Sequence, residues 1–158
     1  MGSLIDDFAQ RLEDAQARLR KSLERIPEFE LHAQPSDGGW SVAQVCAHVV
    51  EMQLFWLRKA QEVIEHPDAG RTEKDRERRL SEVSDHAADD INEVTSRLND
   101  ANKDALRILR ELPTGHLELE GVRDGKPTTV RHLIESSVIN HVRVHAEQIE
   151  ETRRAVRD

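Results

Sequence analysis

Four stretches of the chain repeat apolar side chains at the 3.6-residue period of an α-helix, and turn or capping residues bound each one. In the first, Leu4, Phe8, Leu12, Ala15, Leu19, Leu23 and Ile26 keep the period, Ser3 is a candidate N-cap and Pro27 a stop. This predicts a helix from about Ser3 to Ile26. Residues 28–39, with Pro35, Gly38 and Gly39, read as a loop. The second stretch opens on a capping box, Ser41-Val42-Ala43-Gln44, with Trp40 and Val45 placed as a hydrophobic staple. Its stripe runs through Val49, Met52 and Trp56 to about Ile64, and Pro67 and Gly70 close it. Residues 71–79 are almost wholly charged and read either as a linker or as the solvated first turns of a third helix. Leu80, Val83, Ala87, Ile91, Val94, Leu98, Ala105, Leu109 and Leu112 carry that third helix to Pro113. Asp124-Gly125 marks a tight turn, so a short hairpin is expected before the last helix. Thr128 or Thr129 caps that helix, which runs to about Arg154. Four amphipathic helices with mostly short connections predict an all-α four-helix bundle, a single domain over residues 1–158.

Composition bounds the function. Apolar residues make up 37% of the chain and charged residues 34%, which suits helices that each need only one apolar stripe. A formal net charge of −8 argues against a nucleic-acid partner. No 18-residue apolar run is present, so no membrane span is expected. No basic-then-apolar leader is seen, and Asp6 stands where a myristoylation signal requires Ser or Thr. One cysteine, Cys46, cannot form an internal disulfide, in keeping with a cytoplasmic setting.

The eight histidines divide by position. His32, His66 and His116 fall in or beside loops, His86 lies off the third stripe, and His132 lies opposite the fourth. The remaining three face inward. At 100° per residue, His141 and His145 share a narrow sector with Val130, Ile134, Val138, Ile149 and Thr152, and His48 lies about 60° from the centre of the second stripe. Three such imidazoles bond either to backbone carbonyls and one another, or to one metal ion that satisfies all of them. Three nitrogens leave a coordination position open, as in a catalytic rather than a structural site. Cys46 lies about 100° off the second stripe and does not supply a fourth ligand. Spacing excludes other chemistries. No histidine follows a Glu by three residues, as a ferritin-like di-iron site requires. Val142 follows His141 where a zincin has Glu, and neither a haem-attachment motif nor a glycine-rich phosphate loop is present.

WSVAQVCAHVVEM in the second helix and HVRVHAEQI in the last resemble the DinB-like superfamily, damage-inducible and metal-dependent thiol-transferase-like bundles. The resemblance covers nearly the whole chain. It implies an up-up-down-down bundle with a divalent metal, commonly zinc or nickel, on His48, His141 and His145. It also implies a low-molecular-weight thiol as co-substrate for a small-molecule electrophile. Three functions follow as expectations: a thiol S-transferase or isomerase, a metal-assisted hydrolase, or a stress-related metal- or ligand-binding bundle without catalysis. Glu51 and Gln148, each about one turn beyond a histidine, are candidates to support the site, against the simpler reading of a surface acid and a core-edge amide. Bundles of this type often form homodimers through outer helix faces, though no exposed apolar stripe marks one here.

Overall fold

The computed structural model describes residues 3–65, 73–123 and 126–157. The long helices are α1 (Leu4–Ser22), α3 (Val42–Glu65), α5 (Ile91–Glu111) and α7 (Asn140–Arg157), with a short α2 (Glu28–His32) and a peripheral α4 (Glu73–Asp85) between them. A two-stranded antiparallel hairpin, β1 (Glu120–Arg123) and β2 (Lys126–Thr129), leads into the one-turn α6 (Val130–His132). A π-helical segment, Leu133–Ile139, then joins α6 to α7. α1 packs against α5 and α7, and α3 against α5, α7 and the π segment. The consecutive long helices α1 and α3 therefore lie across the bundle from each other. The chain forms the expected all-α four-helix bundle.

Capping chemistry sets the starts. Ser3 and Asp6 exchange side-chain bonds with each other's N–H, and Ser41 and Gln44 do the same at α3. Thr129 caps α6 by accepting from the His132 N–H at 3.0 Å. The stripes fill the core with Phe8, Leu12 and Leu19 from α1, Val45, Val49 and Leu57 from α3, and Leu98, Ala105 and Leu109 from α5. A buried amide chain crosses this core: Gln16 donates to Gln53 at 2.7 Å, and Gln53 donates to Asn102 at 3.1 Å. It ties α1, α3 and α5 into one register.

Several expected boundaries differ. The first helix ends at Ser22, not Ile26, because Arg25 takes a left-handed conformation (φ 55°). Arg153 of α7 donates to the Ser22 and Glu24 carbonyls there, satisfying acceptors that the helix end exposes. The expected loop of residues 28–39 contains α2, which is held by tertiary bonds. Glu30, 3% exposed, accepts from Arg153 at 2.7 Å and from Arg157 at 2.5 Å, and Leu31 is fully buried.

The third helix is two helices. Asp90 is extended (φ −78°, ψ 172°) and accepts from the Glu93 N–H at 2.8 Å, while Glu93 accepts from the Asp90 N–H. This capping box restarts the chain at Ile91 and leaves α4 outside the bundle, where Val83 is buried but Leu80 is 55% exposed. Helix begins at Glu73 within the charged stretch 71–79. The Pro67, Gly70 and Asp124-Gly125 signals lie outside the described residues, and so does His66, although the strands flanking that turn pair as expected.

Candidate metal centre

His48 enters the bundle from the second turn of α3. The capping box at Ser41 fixes where that helix starts, and Trp40, just outside it, sets its ring 5.1 Å from the His48 ring. His48 is 7% exposed. His141 and His145 come from the first turns of α7 and are half-buried. The three rings meet across 93 residues of sequence. Nε2 of His48 lies 3.1 Å from Nε2 of His141, which lies 2.9 Å from Nε2 of His145. Ring centroids are 4.9, 4.8 and 4.3 Å apart, and one nitrogen from each residue falls within 4.8 Å of the other two.

The histidine pair does not sit at the centre of its stripe, as uniform helical rotation predicts. Within α7 the buried residues are Val142, Ala146, Ile149 and Thr152, and the histidines lie roughly 60° to one side at 100° per residue. The π segment is the cause. An i→i+5 turn advances each residue by less rotation than an α turn. The apolar line of Ile134 and Val138 therefore passes to Val142 and Ala146, and the histidines are set beside that line, toward α3.

One hydrogen bond prepares His145 as a ligand. His145 Nδ1 donates to Gln148 Oε1 at 2.6 Å. The proton then sits on Nδ1, and Nε2 presents a lone pair to the cluster. Burial pushes the His145 pKa below its ordinary value, in the direction of the neutral ring, a shift that the bond to Gln148 partly opposes. The donor set fits a tetrahedral ion. Bonds to nitrogen of about 2.0–2.1 Å hold ligand nitrogens about 3.3–3.4 Å apart, so the spacings from His141 to His48 and to His145 need to open by only a few tenths of an ångström.

Glu51, one turn beyond His48, is not a surface acid. Its side chain is 12% exposed and pairs with Arg78 of α4 at 3.3 Å. Burial raises its pKa, with Arg78 acting against the rise. Cys46 is fully buried and its thiol is pushed up to about 12 by burial, so it stays protonated and is no ligand. The other described histidines lie away from the cluster. His32 Nε2 bonds the Asp89 carbonyl at 2.8 Å, His86 Nδ1 bonds the Asp89 carboxylate at 2.8 Å, and His116 and His132 are exposed. Sequence reasoning passed over Ser137, although Ser-x-x-x-His-x-x-x-His spacing places it on the histidine face.

The DinB superfamily profile matches residues 11–149. No protein of curated function matches the chain. Among solved structures, YfiT from Bacillus subtilis superposes with a TM-score of 0.77 at 20% identity, covering 96% of this chain and 87% of its own. That protein is described as a probable metal-dependent hydrolase with an unusual four-helix bundle topology. A Streptococcus pneumoniae protein (TM-score 0.75, 14% identity) covers 99% of this chain and 93% of its own. An uncharacterised Clostridium difficile 630 protein (TM-score 0.75, 14% identity) covers 99% and 98%. At these identities the likeness is one of fold.

Proposed function

The chain belongs to the DinB superfamily, and from that premise we propose that it is a divalent-metal-dependent enzyme whose ion, zinc or nickel, is held by His48, His141 and His145. The observation that carries this reading is the convergence of three imidazole Nε2 atoms, one of them fixed as a lone-pair donor by Gln148. When bound, the ion supplies Lewis acidity that lowers the pKa of a thiol or water in the open position.

The chain's own groups shape that chemistry. Imidazole ligands add no negative charge to a bound ion, so the site favours an anionic partner, a thiolate above all. Burial of His48 and the Trp40 ring against it limit water on the α3 side. The reaction proposed first is therefore S-transfer. A small thiol would lose its proton to solvent, its sulfur would form a bond to an electrophilic carbon, and the bond from that carbon to the leaving group would break, the group departing with the electron pair. Hydrolysis is the second reading. Glu51 favours it, since a mostly buried carboxyl with a raised pKa, one turn from His48, suits a general base. The description of the Bacillus subtilis relative points the same way.

The test is the visible spectrum of cobalt-substituted protein. S-transfer predicts that low-molecular-weight thiols change the spectrum, and hydrolysis predicts turnover of activated esters or amides with no thiol present. A protein that takes up cobalt but does neither is a binding module, and the enzymatic reading fails.

A further inference from the structure

The helix face that carries His141 and His145 continues one turn toward the N-terminus. Ser137 stands four residues before His141, as His141 stands four before His145, so the three share one face. Ser137 lies in the π segment, which packs against α3, the helix that brings His48. It is 3% exposed, and its hydroxyl has no hydrogen-bond partner among the described residues.

Such a hydroxyl needs a reason, because buried polar groups in native proteins are nearly always bonded. A helical serine has an easy remedy, donating back to a carbonyl one turn earlier. Ser22 takes it, bonding the Leu19 carbonyl at 2.5 Å, and Thr95 bonds the Ile91 carbonyl. Ser137 does not. Helical side chains lean toward the N-terminus, so His141 leans over the turn that holds Ser137, with Cβ atoms on the order of 5–6 Å apart. π turns are rare, and they recur at functional sites.

We infer that Ser137 is a ligand-binding residue of the metal centre, its hydroxyl donating a hydrogen bond to the sulfur of a small thiol admitted beside His141; this rests on the thiol reading proposed above. The unsatisfied donor and the open coordination position are two halves of one site. The ligand completes both.

The experiment compares wild type with Ser137→Ala. Cobalt uptake, the melting temperature of the metal-free protein, and the affinity of the cobalt form for 2-mercaptoethanol are measured side by side. The variant should take up cobalt like wild type and melt, metal-free, at or above the wild-type temperature, because no bond is lost. Its dissociation constant for the thiol should rise about 5-fold, the weight of one hydrogen bond. Equal thiol affinities overturn the inference, and so does a metal-free variant that melts well below wild type, which would give the hydroxyl a structural partner. A wild type that takes up no cobalt overturns the metal centre and the inference with it. A cobalt spectrum that the thiol leaves unchanged removes the thiol reading and the inference, with the metal centre intact.

Discussion

Replacing Gln148 with leucine tests how the chain prepares its third histidine. In the native protein His145 Nδ1 donates to Gln148 Oε1 at 2.6 Å, which holds the proton away from the cluster and fixes the ring plane. Leucine keeps most of the side chain's bulk, one atom shorter, and removes the acceptor. The Nε2–H tautomer then becomes accessible, and in that form the nitrogen facing His141 carries a proton and cannot bind an ion. Partners of this kind are worth about 10–100-fold in metal affinity. Both His145 and Gln148 are half-buried, so water replaces part of the lost bond. The expected loss is thus in the lower half of that range, about 10–30-fold, or about 1.4–2 kcal/mol. Competition against a chromophoric chelator at fixed pH measures it. Gln148→Glu, which keeps an acceptor, should bind at least as tightly as wild type. An unchanged affinity in Gln148→Leu would refute the argument that this bond selects the tautomer.

Glu30→Ala should destabilise the protein by about 3 kcal/mol in urea unfolding, because Arg153, only 12% exposed, loses its carboxylate. The bonds from Arg157 and Arg153 hold the Glu30 carboxyl below its ordinary pKa, against the opposing effect of burial. Its contribution is therefore complete above the unfolded value of about 4.3 and is lost as pH falls through the lower folded value. Acid titration of wild type beside Glu30→Gln should show that loss in wild type only. Asp90→Ala removes the cap that restarts the chain at α5 and should cost about 1 kcal/mol of thermal stability, by calorimetry. Cys46, with its thiol pushed up to about 12, should resist iodoacetamide at pH 8 in the folded protein and react once urea unfolds it, as mass spectrometry would record.

Much of this molecule is legible in the sequence where the cause is local. Ser41 and Gln44 announce α3 because a capping box is a contact within four residues. Asp90 and Glu93 form the same motif and were equally readable, yet the apolar period running past them made one helix of two. What escapes is whatever depends on distant residues. α2 looks like loop because its stability comes from Glu30 meeting two arginines more than 120 positions away. The π segment escapes for another reason. LIESSVI has the residues of an ordinary α-helix, and nothing in it declares an i→i+5 turn. That turn decides where the histidines point, so periodicity picked out three residues that the fold brings together while placing two of them at the centre of a stripe whose edge they occupy. The apolar faces told which histidines look inward; the packing of α3 on α7 told that they meet.

The central claim is that these three histidines hold one ion. Its most direct test is metal content after reconstitution with zinc or nickel and removal of unbound metal, for wild type beside the His141→Ala, His145→Ala double variant. About one ion per wild-type chain and close to none in the double variant is the predicted result. Equal metal in the two proteins, whether near zero or near one, would contradict it.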